Sequence, residues 1–231
     1  MKRNLLLGIL ALATSSLFAA DKEDVMAAAK KLGEKANYSW KTTFVVPADS
    51  QFKPGPMEGQ TEKDGFTYVT MSRGDNTTEV LKKGDKFAVT NREGDWVSEA
   101  DLQNAEGPGR FLGFMVRGIH LPATQAAELA EGAKELKKEG DTFSGDLTEA
   151  EAKKALSFRG RNGNGPEASD AKGSVKFWIK EGELVKYEFK VSGKISFNGN
   201  DREVDRDTTV EIKDVGTTKV KTPEAAKKKL G

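Results

Sequence analysis

His120 is the only imidazole in the 231 residues of this chain, and there is no cysteine. A single histidine cannot build a multi-His metal site. Without a thiol there is no cysteine nucleophile, zinc ribbon, disulfide or lipidated N-terminal Cys. His120 stands between an apolar segment and Leu121-Pro122, the place of a helix-end residue rather than a catalyst. The 36 carboxylates are scattered, and no pair stands out as a general acid and base. Asp201, Asp205 and Asp207, with Asn198 and Asn200, offer oxygen ligands. They lack the twelve-residue loop and closing Glu of a calcium site. Gly160, Gly163 and Gly165 have no preceding strand and no following P-loop Lys, so they do not read as a phosphate cradle. Lys227, Lys228 and Lys229 complement the dipole of a closing helix. The expectation is a chain that is not an enzyme and holds no metal or cofactor.

The charge balance, 37 Lys plus Arg against 36 Asp plus Glu, argues against a nucleic-acid partner, which would require a basic surplus. The remaining chemistry is apolar. Hydrophobic content is only 36%, yet it includes 12 Phe, 3 Trp and 3 Tyr. These side chains fall into patterns. Tyr38, Trp40, Thr42, Phe44 and Val46 occupy alternate positions, with Ser39, Lys41 and Thr43 between them, and Val185, Tyr187, Phe189, Val191, Ile195 and Phe197 likewise share one face. Phe111, Leu112, Phe114 and Met115 instead cluster in one segment, with Gly109, Gly113 and Gly118 among them. Three glycines loosen a helix by about 1 kcal/mol each relative to Ala, which favours a movable cover over a purely structural helix.

The elements that must position these groups follow from local signals. Lys2 and Arg3, the apolar run Leu5 to Ala13, and Ala19-Ala20 have the layout of a signal peptide over residues 1–20. Its apolar run is too short to span a bilayer, which needs about 20 residues. Removing it turns 37 against 36 into 35 against 36. The product expected is an exported chain, periplasmic or secreted, and not lipid-anchored. Asp21 caps a helix to about Ala36, with Val25, Ala28, Ala29 and Leu32 on one stripe. After the strand at 38–46, short strands are expected at 57–63, 66–72, 77–82 and 86–90, with Asp-Gly and Gly-Asp turns between them and Arg92 to Asp95 leading into Trp96. The middle, about 101–158, holds the 109–120 segment, a helix from Pro122 to about Lys134 and a hairpin over 135–146. A Thr148–Glu151 capping box opens a further helix there. Residues 159–172 read as a loop. Long strands over 175–197 and around Val204 to Ile212 follow, and Thr222 caps a last helix with Pro223 at its first position.

At about 3.3 Å per residue, Leu184 to Phe197 would extend to roughly 45 Å. Twist accumulates over such a length, and Gly193 suits a bend or bulge. The fold class expected is α+β, a curved antiparallel sheet covered by helices. Two functions fit it. An incomplete cover leaves a groove for an apolar ligand, lined by Trp40, Phe44, Phe111, Leu112, Phe114, Met115, Tyr187, Phe189, Val191, Ile195 and Phe197. A complete cover makes a packed structural or interaction module without a cavity.

The order of elements resembles the LolA/LppX-like superfamily of bacterial periplasmic lipoprotein and lipid carriers. The segments that carry the resemblance are Tyr38 to Thr43, Glu58 to Tyr68, Asp95-Trp96 and Gly182 to Val215. It implies an open half-barrel over 21–231 with a central helical lid, holding acyl chains between them. The implied partners are a lipid or acyl-chain ligand, or a lipoprotein bearing one, with only transient membrane contact and a monomeric state. The missing Cys sets the chain apart from membrane-anchored members.

Overall fold

Tyr38, Trp40 and Thr42 are buried along strand β1 (Asn37–Val45) of the computed structural model, while Ser39, Lys41 and Thr43 between them are more exposed. The structure describes residues 8–50, 53–103, 108–156, 167–197 and 200–231, with the side chains of 8–19, 108, 110, 197 and 200 left aside. Lys2, Arg3, Leu5 and the glycines 160, 163 and 165 lie outside the described residues, as does the turn at 198–199. Helix α1 (Gly8–Gly33) precedes β1, and its stripe of Val25, Ala28, Ala29 and Leu32 is buried.

Five strands follow in hairpin order: β2 (Met57–Glu62), β3 (Thr67–Arg73), β4 (Asn76–Lys83), β5 (Lys86–Thr90) and β6 (Trp96–Ser98). Helices α2 (Glu99–Gln103), α3 (Pro108–Arg117) and α4 (Pro122–Gly132) come next. The hairpin β7 (Lys137–Glu139) and β8 (Thr142–Asp146) then leads to α5 (Glu149–Leu156). Three long strands, β9 (Glu167–Lys180), β10 (Glu183–Phe197) and β11 (Asn200–Lys213), precede α6 (Glu224–Leu230). All eleven strands form one antiparallel sheet in the order β6-β5-β4-β3-β2-β1-β11-β10-β9-β8-β7. Only the β1–β11 pairing joins distant parts of the chain; every other neighbour is also next in sequence. The sheet is open, and both edge strands are three residues long, which leaves little edge for another chain to pair with.

The turns follow their residue types. Glu181 and Gly182 both have positive φ (52° and 74°), the requirement of a type I′ turn between β9 and β10. The Thr148 hydroxyl accepts the Glu151 N–H at 3.3 Å and caps α5. Inside the curve, helices α1, α4 and α5 pack on β9 and β10, directly or through one another. On the opposite face Tyr68, Leu81 and Ala88 meet Ala226 and Leu230 of α6, so β3 to β5 are covered on both sides.

Local reading departs from the structure at four places. Asp21 does not cap α1, which runs through it without a break from Gly8; its Oδ2 accepts the Lys138 N–H at 3.1 Å instead. That helix also stops at Gly33, where a tight bond from Lys35 N–H to the Leu32 carbonyl (3.2 Å) turns the chain into β1. Residues 92–95 form the expected turn, in which the Asn91 side chain accepts the N–H groups of Glu93 and Asp95 at 3.1 and 2.8 Å. Residues 167–172 are strand, because β10 supplies ladder partners that their polar sequence does not announce. Pro223 is the N-cap of α6, its carbonyl accepting the Lys227 N–H at 3.0 Å, so Thr222 lies one residue outside.

Bulges set the phase of β10. Val185 is the extra residue of a bulge, so Leu184 is buried and Val185 is only half-buried. At Gly193 the extra residue belongs to β9, where Asp170 has φ 53°. A Cβ on Gly193 would stand 2.7 Å from Leu156 Cδ1 and 2.9 Å from the Ser169 carbonyl oxygen, so this position requires glycine.

Candidate functional site

Register across three central strands builds a floor of large side chains. Phe44 of β1 pairs with Thr208 of β11, which pairs with Phe189 of β10. One step along, Thr42, Val210 and Tyr187 form a parallel row. Trp40 lies flat because its pairing partner on β2 is Gly59, whose ideal Cβ would fall 2.1 Å from the indole Cζ2. Met57 and Met71 continue the surface onto β2 and β3. Tyr187 and Phe189 stack with centroids 6.4 Å apart, and Tyr38 and Trp40 tilt together at 5.9 Å.

The facing wall comes from α3, the turn after it, α4 and α5. Phe111, Leu112 and Met115 of α3, then Ile119 and Leu129, look onto the floor. Arg117 fixes the end of α3 through Glu99 of α2, with Nε and Nη2 donating to Oε1 at 3.1 and 2.9 Å. Floor and wall meet where the Tyr187 hydroxyl donates to Gln125 Oε1 at 2.7 Å. Complete burial holds the Tyr187 phenol well above its ordinary pKa, reinforced by Tyr38, and so keeps it a donor. Burial also pushes Tyr38 up, to about 12.

Floor and wall do not close on each other. Between them is a cavity of about 1240 Å³, above the ~300–1,000 Å³ of most small-molecule pockets. A fully packed interior has no such space. The lining passes from buried Trp40, Tyr187 and Val210 to Phe111, which is 56% exposed.

Polar groups line the cavity at two places, along the turns after β3 and β5 (Arg73, Asn76, Arg92 and Glu93 among them) and where it meets α4 and α5. Glu128 takes Lys154 at 3.0 Å and lies 3.9 Å from His120 Nδ1. Burial lowers the His120 pKa, with Glu128 opposing it. Burial raises that of Glu151, which Lys154 (3.8 Å) partly offsets. Arg206 of β11, which lines the same end, has no ion pair among the described residues. Its Nη2 donates to the Ala155 carbonyl at 2.8 Å, while Nε has no partner among the described residues. Thr208, 3% exposed, also has an unpartnered hydroxyl.

Of the residues expected to line a groove, Trp40, Phe44, Phe111, Leu112, Met115, Tyr187 and Phe189 border this cavity. Three others do not. Phe114 is half-buried away from the cavity lining, Val191 is fully buried, and Ile195 packs onto the main core beyond the cavity. The side chain of Phe197 is outside those described. Sequence reasoning missed Met57, Met71, Arg206, Thr208 and Val210 as lining residues. One signal was available: Val204, Arg206, Thr208 and Val210 share a phase in β11, so an arginine falls where alternation demands an inward residue. Asp205 and Asp207, in the opposite phase, both pair with Lys190 at 3.5 and 3.4 Å.

No protein-family profile and no curated protein matches the chain. Among solved structures it is similar to the Mycobacterium tuberculosis lipoprotein LppX, at 9% identity and TM-score 0.46, over 87% of this chain and 98% of that one. It is similar to LprF from Mycobacterium bovis at 13% identity and TM-score 0.45, covering 90% and 98%. A DUF1329 family protein from Desulfovibrio piger follows at 10% identity and TM-score 0.36, covering 84% and 90%.

Proposed function

We propose that the protein is a non-enzymatic carrier or sensor that holds a lipid or other apolar ligand between the curved sheet and helices α3 to α5. The observation that carries this reading is the cavity of about 1240 Å³ walled by aromatic, Met and Leu side chains. Leaving such a volume empty forfeits dispersion contacts over its whole lining. An acyl chain restores them and transfers its own apolar surface from water, at about 0.8 kcal/mol per buried CH₂. The protein acts as a monomer on an exported route, with residues 1–20 as a cleaved signal, no cofactor, and only transient contact with membranes.

The test is native mass spectrometry of protein recovered from its own cell envelope, joined to displacement of the fluorophore 1-N-phenylnaphthylamine. Co-purifying mass in the lipid range, together with displacement by dodecanoate or dodecanol, is the expected result. Consistently bare protein that takes up no fluorophore would sink the reading and leave only a structural module.

A further inference from the structure

Arg206 and Thr208 lie two residues apart on one face of β11, with Cα atoms about 7 Å apart, and both line the cavity. Neither is satisfied there. The Arg206 Nε and the Thr208 hydroxyl are the two buried side-chain polar atoms without a partner among the described residues. Every other charged group at this end has one: Glu128 with Lys154, Glu151 with Lys154, and His120 beside Glu128. Burial pulls the Arg206 guanidinium below its ordinary pKa, but an arginine remains charged at neutral pH. A largely buried cation without a counter-ion is costly, and an apolar residue would line an acyl tunnel more cheaply. The unused donors match one chemistry, a planar anion that accepts from the Nε edge of the guanidinium and from a neighbouring hydroxyl.

Resting on the reading of the cavity as an acyl site, we propose that Arg206 and Thr208 form its headgroup subsite, taking the carboxylate of a free long-chain fatty acid. Arg206 supplies the charge and its free Nε–H donor, while Thr208, between Phe44 and Phe189, supplies a second. The tail lies along the floor past Phe189 toward Trp40 and Met57. The Ala155 carbonyl at the end of α5 holds the guanidinium from behind through Nη2.

The experiment compares cis-parinaric acid with its methyl ester, by intrinsic fluorescence, on wild-type protein and on Arg206→Met and Thr208→Val. Wild type should prefer the acid by about 10- to 100-fold, the factor expected of charge-assisted hydrogen bonds. Arg206→Met should abolish that preference by weakening the acid and leaving the ester unchanged. Thr208→Val should weaken the acid by several-fold with the same selectivity for the charged form. Equal binding of acid and ester to wild type, or a preference that persists in Arg206→Met, overturns the subsite and leaves the acyl cavity standing. Failure of both probes to bind overturns the cavity reading itself. If Arg206→Met does not fold, the wild-type ratio and Thr208→Val decide the outcome.

Discussion

Replacing Gly59 by alanine should drive Trp40 off the sheet and into the cavity. The ideal Cβ would lie 2.1, 2.3 and 2.4 Å from three indole carbons, Cζ2, Cε2 and Cη2. Carbon atoms make contact at about 3.5–4.0 Å, so the ring must retreat by about 1.4 Å. Trp40 is 2% exposed and packs against Tyr38 on the same strand. The cavity is the open direction left to it. Because that space exists, the cost should be that of an overpacked site that relaxes, about 1–3 kcal/mol. For a chain of this length that corresponds to a fall in Tm of roughly 2–12 °C. In a Trp96→Phe, Trp178→Phe background the emission of Trp40 should shift, and affinity for cis-parinaric acid should drop as the indole takes up its room. Unchanged Tm and emission in Gly59→Ala would refute the reasoning, since they would mean that the indole does not rest on the glycine.

Three further outcomes follow from the same geometry. Gly113→Ala should stabilise the protein by up to about 1 kcal/mol through helix propensity, because its Cβ meets nothing closer than 3.5 Å. Stopped-flow release of bound 1-N-phenylnaphthylamine should slow with it, and unchanged release would show that α3 does not gate the site. Phe111→Asp should weaken probe binding with little loss of Tm, since Phe111 borders the cavity yet is 56% exposed; simple unfolding would make it core. Alkaline pH should destabilise the fold through Tyr38 and Tyr187. Their folded pKa values are raised, so their contribution is complete below pH 10 and is lost as pH climbs toward about 12 for Tyr38. For Tyr38 alone the loss is on the order of 2–3 kcal/mol. Urea midpoints at pH 9 and 11.5 should differ less in the Tyr38→Phe, Tyr187→Phe double variant, and an equal difference would count against buried phenols as the cause.

Much of the sheet was legible in the sequence, because turn chemistry and alternation act over a few residues. Glu181-Gly182 and Tyr38-Trp40-Thr42 carry their own structure. The departures arose where a distant partner decides. Glu167 to Lys172 has the composition of a loop and becomes strand because β10 lies alongside it. Val185 continues a flawless alternation, yet a bulge against β9 moves Leu184 into the core. Phe114, Val191 and Ile195 have the right residue types for an apolar wall, but the crossing of helix and sheet leaves them outside it.

Chemistry divides in the same way. The absence of cysteine and the lone His120 were decided by composition, and so was the apolar character of whatever surface the chain offers. Alternation along β11 also determined which residues face inward, Arg206 included. Whether those inward faces meet or stay apart is a property of the β1–β11 pairing and of where α3 and α4 come to rest, both of which depend on residues far apart in the chain. Tertiary structure alone therefore decided that a cavity remains, that Tyr187 reaches Gln125 across it, and that Arg206 stands in its wall with a donor to spare.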